Sequence, residues 1–169
     1  MIQTLTYGST IVALAPVIRA HGESRRKAEH AAVGQLLDAL APGETLSHTA
    51  DGAPVLVGSP LHISISHSAT VAAVAVDPVR VIGIDIEDMA RAAQIERVLG
   101  RVLSSEEMRV YSGHPLEAWT LKEALYKIAG NPGIDWRDGL PIPPRGGAEL
   151  VHSGPVGRSH LSLVARRDG

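Results

Sequence analysis

The sequence predicts an α+β fold, and two observations carry that prediction. Short apolar runs of strand period recur in both halves of the chain. Two longer segments have helical period. The strand–helix–strand content of residues 1–76 resembles that of 77–169, which points to two similar α+β halves in one 169-residue domain.

Taken in order, residues 4–15 are apolar and partly alternating, with Gly8 and Ser9 as a turn, and predict one or two strands closed by Pro16. Residues 24–40 predict a helix. Ser24 is the N-cap, Val33, Leu36, Leu37 and Leu40 form the buried stripe, and Pro42–Gly43 stops it. Arg25, Arg26 and Lys27 fill its first turn, where the helix dipole favours acids; that makes them candidates for holding an anion. A turn over 51–54 precedes a short strand at 55–57. Residues 62–68 predict a strand with Ile63 and Ile65 facing in, Ser64, Ser66 and Ser68 facing out, and His67 at its end. Residues 71–76 and 79–87 predict an antiparallel hairpin around Asp77–Pro78.

Residues 89–100 read as helical or irregular, with Arg91, Arg97 and Arg101 exposed. Ser104 to Glu107 has the form of a capping box. Pro115 opens the second long helix and Gly130 ends it. Residues 131–147, rich in Pro and Gly, read as loop. Segments 149–152 and 159–166 predict the last strands.

The chemistry is concentrated in two of these elements. Alternation places Asp85 and Glu87 on one strand face and Ile82, Ile84 and Ile86 on the other. Two carboxylates so placed repel unless a cation or water separates them. On the helix, Leu121, Ala124, Leu125 and Ile128 make the apolar stripe, Glu123 and Lys127 share another side, and Lys122 lies at its edge. Glu123 added to Asp85 and Glu87 would give an all-oxygen half-shell suited to Mg²⁺, and neighbouring lysines suit a polyphosphate. Taken alone, the helix pattern also fits a solvated face with an i,i+4 Glu–Lys pair, and His67 a structural histidine at a strand end.

Composition narrows the classes. With 16 basic and 18 acidic residues no global field favours nucleic acid, and without cysteine there is neither a disulfide framework nor a thiolate metal site. Aromatics make up 3% and Phe is absent, which disfavours base-stacking surfaces. No apolar run reaches the roughly 20 residues of a membrane helix. The first residues lack a charged segment followed by an apolar one, so a cytoplasmic protein is expected.

Gly83-Ile84-Asp85-Ile86-Glu87 followed by Trp119-x-x-Lys122-Glu123-Ala124-x-x-Lys127 resembles the signature of the 4′-phosphopantetheinyl transferases. Ser66-His67-Ser68, Asp51-Gly52-x-Pro54 and Val102-Leu103-Ser104-x-x-Glu107 resemble further family segments, so the likeness runs from about Ser24 to Gly130. The chain departs from the pattern at Gly34, Ala53 and Asn131.

The resemblance implies transfer of phosphopantetheine from coenzyme A to a serine of an apo acyl or peptidyl carrier protein, with 3′,5′-ADP released. The acid pair resembles the type that activates nonribosomal peptide and polyketide synthases, a pseudo-dimer within one chain. By that likeness Asp85, Glu87 and Glu123 bind Mg²⁺, or Mn²⁺ in its place. Glu123, Lys127 and Lys122 serve catalysis, and coenzyme A is held by His67, Ser66, Lys127, Arg25 and Arg26. The protein is expected to be a monomer, with Arg91, Arg97 and Arg101 meeting an acidic carrier. Another Mg²⁺-dependent phosphotransferase or phosphodiesterase, or a noncatalytic carrier- or nucleotide-binding domain, would use the same residues.

Overall fold

The computed structural model describes residues 1–167. Strands β1 (Gln3–Tyr7) and β2 (Thr10–Pro16) form an antiparallel hairpin. Helix α1 (Arg25–Leu40) follows, with the Ser24 hydroxyl accepting from Lys27 N. Strands β3 (Leu46–His48) and β4 (Pro54–Leu56) pair as a small separate ribbon. Strands β5 (His62–His67) and β6 (Val71–Asp77) complete a sheet of order β1-β2-β6-β5.

Strand β7 (Arg80–Asp88) belongs to a second sheet. Short helices α2 (Ala92–Glu96) and α3 (Ser105–Val110) precede the long α4 (Pro115–Ala129), and α5 (Trp136–Gly139) is a single turn. Strands β8 (Ala148–Val156) and β9 (Ser159–Arg167) give the order β7-β9-β8, with a register shift between Leu150 and His152.

Period-two alternation sorts each strand's side chains into two layers. Ala13, Ala15, Val74 and Val76 pack on Ala32, Val33 and Leu36 of α1. Their neighbours Val12, Leu14, Ala73 and Ala75 pack on Ile82, Ile84, Ile86, Leu161 and Leu163 of the second sheet. The far face of that sheet, through Val164, meets Leu121, Ala124, Leu125 and Ile128 of α4. The layers therefore run helix, sheet, sheet, helix. Small residues let the layers approach: a Cβ on Gly83 would lie 2.0 Å from the Ala124 carbonyl oxygen, so only glycine there lets α4 lie against β7.

The expected hairpin of residues 71–76 with 79–87 does not form. β6 pairs with β2 and β5, and β7 pairs with β9. The chain changes layer at Asp77, which organises the turn. Its Oδ1 accepts Val79 N–H at 2.8 Å and Arg80 N–H at 2.9 Å; its Oδ2 accepts from Ser9, Thr10 and Arg80. Burial opposes the charge, but these donors outweigh it and hold the carboxyl well below the usual range. β3 and α5 fall where no regular element was expected. Among the described residues no helix is long and apolar enough to cross a membrane.

Candidate active site

The two sheets meet along a seam between β5 and β7, and side chains stitch it. Ser64 Oγ accepts Ile84 N–H at 3.0 Å, Ser66 Oγ accepts Ile86 N–H at 3.2 Å, and Ser68 Oγ donates to Asp88 Oδ1 at 2.8 Å. Ser64 and Ser66 on β5, with Ser68 just past its end, step along β7, and the first two accept backbone N–H groups where a backbone ladder would. Their expected outward orientation is thus corrected: all three are buried. Helix α1 covers one face of the first sheet and the second sheet covers the other, so the serine side of β5 is turned toward β7. Asp88 also accepts from Thr70 and Ser159, which keeps its carboxyl below the ordinary value despite burial.

Lys127 reaches this seam from α4. Its ammonium donates to the carbonyls of Ile65 (3.2 Å) and Ile84 (2.6 Å) and to Asp85 Oδ1 (3.2 Å). Ser66 donates to the same Asp85 oxygen at 2.8 Å. Asp85 Oδ2 is buried with no hydrogen-bond partner among the described residues. Burial pushes the Asp85 carboxyl up, against the pull of Lys127 and Ser66. Glu123 is pushed up to about 7, first by burial and then by the Asp85 charge, with Glu87 adding to the rise and Lys127 opposing it. This mutual perturbation brings the three predicted acids into one electrostatic neighbourhood.

They do not form the expected half-shell. Among the described residues no three His, Cys, Asp or Glu side chains are grouped to hold a metal ion. Glu87 is turned to Arg91, whose Nη1 lies 2.7 and 2.8 Å from its two oxygens. Burial and the Asp85 and Asp88 charges still raise the Glu87 carboxyl. The donor chemistry nonetheless fits a hard divalent cation: the groups are all oxygen, they repel one another, and a buried Asp85 oxygen lacks any donor. Arg91, expected at a carrier surface, is engaged here, while Arg97 and Arg101 are exposed.

Lys122 is corrected outright. It is fully buried, and its ammonium is bonded by Glu107 Oε1 (3.0 Å), Trp136 O (2.8 Å) and Leu140 O (2.5 Å). One residue along a helix is a rotation of about 100°, which takes Lys122 away from Glu123 and into the α3–α5 side. Glu107 also accepts Ser104 N–H and Ile142 N–H. Burial would raise its carboxyl, but these bonds bring it below the usual value, while burial lowers the Lys122 ammonium.

Ser66 spends its hydroxyl on β7 and so does not reach for a ligand. His67 is exposed; its Nδ1 lies 3.4 Å from Glu29 Oε1, which Arg25 Nε approaches to 2.5 Å. The structure thus brings His67 and Arg25 together around a carboxylate that the motif reading missed. Arg26 is exposed beside them on α1.

A cleft of about 950 Å³ opens beside the seam. Lys127, Ser64, Ile65 and Tyr126 line it, as do Gly52, Ala53 and Pro54 on one side and Gly130, Asn131 and Pro132 on the other. Two positions where the chain departs from the resembling pattern, Ala53 and Asn131, face this one space.

Behind the acids, Ser162 stands opposite Asp85 and His160 opposite Glu87 on β9. Thr120 of α4 donates to Leu116 O at 2.8 Å and contacts Ser162 Oγ at 2.7 Å. Ser162 contacts Ser153 Oγ at 2.9 Å, and Ser153 contacts His160 Nε2 at 2.9 Å.

Residues 81–162 match the family model of the 4′-phosphopantetheinyl transferase superfamily. The matched span holds Asp85, Glu87, Glu107, Lys122, Glu123 and Lys127. No curated protein matches the chain.

Proposed function

We propose that this chain, which carries a 4′-phosphopantetheinyl transferase superfamily domain over residues 81–162, moves phosphopantetheine from coenzyme A to a serine hydroxyl of an apo acyl or peptidyl carrier protein. The observation that carries the reading is Lys127, which lines a cleft large enough for an extended ligand, bonds Asp85 at 3.2 Å and acts together with Asp85 on the Glu123 carboxyl. In this reading the cleft takes coenzyme A.

Asp85 and Glu123 would hold Mg²⁺, or Mn²⁺ in its place, with Glu87 joining if it exchanges Arg91 for the ion. Such an ion, when bound, neutralises diphosphate charge and polarises the phosphorus. Lys127 places positive charge at the same point from the protein side. Glu123, poised near neutrality, is able to accept the proton released by the attacking serine. His67 and Arg25, with Arg26 beside them, lie on the α1 side of the seam and are assigned the 3′-phosphate.

Each of the two larger sheets carries one long helix on its outer face, and the chain passes from the first to the second near residue 77. This supports reading residues 1–169 as one domain of two halves, about 1–76 and 77–169. Both sides of the cleft come from one chain, so a monomer suffices. Coenzyme A and carrier proteins meet in the cytoplasm, which is where the reading places the enzyme.

Incubation of the protein with coenzyme A, Mg²⁺ and a panel of apo carriers, followed by intact mass measurement, tests the proposal. A carrier heavier by one phosphopantetheine is the expected result. No gain on any carrier, with coenzyme A intact, would reject it.

A further inference from the structure

Ser66 has both ends of its hydroxyl committed. It accepts Ile86 N–H at 3.2 Å and gives its one proton to Asp85 Oδ1 at 2.8 Å. Lys127 donates to that same oxygen. Both donors therefore load Oδ1, and Oδ2 remains buried with none. Leaving a buried acceptor unsatisfied is unfavourable, and a carboxylate free to turn would share its donors between its two oxygens. Here the Ile86 N–H holds the Ser66 oxygen in place, and the serine proton is directed at Oδ1.

Ser64 supplies the comparison. It lies on the same strand and face and is buried like Ser66. It also accepts a β7 backbone proton, from Ile84 at 3.0 Å, but among the described residues it bonds no carboxylate.

We propose that Ser66 is a positioning residue for Asp85: it fixes the carboxylate so that Oδ2 is offered, unpaired, to a divalent cation. This rests on the metal-dependent reading above and replaces a coenzyme contact for Ser66 with a role one step removed from the ligand. Removing a hydrogen bond that supports a metal ligand typically costs about 10–100-fold in metal affinity or activity.

The test is Mn²⁺ binding to the whole chain, without coenzyme or carrier, followed by the electron paramagnetic resonance of the free ion. Thermal unfolding is measured alongside. Ser66→Ala and Ser64→Ala each strand one β7 N–H, so both should lose similar stability. Only Ser66→Ala should weaken Mn²⁺, by about tenfold, while Ser66→Thr, which restores a hydroxyl, should bind close to wild type. Should Ser66→Ala fail to fold, Ser66→Cys, a weaker donor of similar size, makes the same comparison.

Wild-type affinity in Ser66→Ala, or in Ser66→Cys where the alanine variant does not fold, overturns the positioning role and leaves the metal reading standing. Equal weakening by Ser64→Ala also overturns it, because the effect would then be structural. A wild-type protein that takes up no Mn²⁺ overturns the metal reading and this proposal together.

Discussion

Lys127 and Asp85 are joined at 3.2 Å beside the seam between the two sheets, and the same ammonium bonds one carbonyl from each sheet. Lys127 is therefore a strut as well as a charge. Lys127→Met should leave two carbonyls and a buried carboxylate short of a donor, costing about 2–4 kcal/mol. At this chain length that is a fall of roughly 5–15 °C in Tm. It also removes the one charge that lowers the Glu123 pKa, so Glu123 should titrate above its present value of about 7. Carbon-13 NMR of the glutamate carboxyls checks the second outcome. An unchanged Glu123 titration would mean that Lys127 does not act on it.

Glu123 makes stability depend on pH. Its carboxyl titrates near 7 when folded and near 4.3 in an unfolded chain, so the folded state binds more protons between those values. Stability is greatest below about 4.3 as far as this group is concerned, and falls as pH rises through 7. Glu123→Gln should remove that loss and raise stability at pH 8 relative to pH 5. The gain should be about 1–2 kcal/mol, less than the full shift implies, because water reaches part of the side chain. Denaturant titrations at the two pH values decide it; equal effects at both would contradict the assignment.

Lys122 and Glu107 form a buried pair whose partners all lie on the α3–α5 side. Removing only the lysine strands Glu107 and two carbonyls. Lys122→Met should cost about 3–5 kcal/mol. Any loss of activity should follow the unfolded fraction, with KM for coenzyme A unchanged in the folded remainder. A raised KM in fully folded protein would return Lys122 to the phosphate.

Two glycines should respond in opposite directions. Gly83→Ala drives a methyl into the Ala124 carbonyl at 2.0 Å, so α4 must lift from β7, with a loss of several kcal/mol and of the Glu123–Asp85 alignment. Gly34, in the middle of α1, has nothing within 4 Å of where its Cβ would stand. Gly34→Ala should stabilise the protein by about 0.5–1 kcal/mol through helix propensity alone. Thermal unfolding of the two variants checks both signs.

His67 and Arg25 converge on Glu29. If they read the 3′-phosphate, His67→Ala should weaken coenzyme A several-fold more than 3′-dephospho-coenzyme A. Equal losses for the two ligands would make His67 a partner of Glu29 and nothing more.

Local chemistry was legible from the sequence. The Ser24 cap, the reciprocal Ser104–Glu107 box, Pro115 at a helix start and Gly130 at φ 64° all lie where short-range rules put them. So was the shared face of Asp85 and Glu87. What alternation does not say is which layer covers a face. Ser64, Ser66 and Ser68 read as solvent-facing because polar residues alternating with isoleucine usually are, yet a second sheet lies over them. The same gap misplaced β7, whose partner β9 is some 80 residues away along the chain. For Lys122, adjacency to Glu123 in sequence suggested a shared site, whereas helical rotation separates them. Glu29 and His160 carried no local signal, since each gains its meaning from a strand or helix distant in sequence.

The hydroxyl chain from Thr120 to His160 has a direction, and the direction fixes a proton. Thr120 gives its only hydroxyl hydrogen to the Leu116 carbonyl, so in its contact with Ser162 the serine must donate. Ser162 then has none left for Ser153, which must donate to it. Ser153 is spent in turn, and His160 Nε2 has to be the donor in the last link. Burial, with the neighbouring His152 and His114, pushes the ring's pKa down, so at neutral pH it carries one proton, and the chain assigns that proton to Nε2. A threonine in the helix thereby selects the tautomer of a histidine three links away, leaving Nδ1 as a bare acceptor on a ring opposite Glu87.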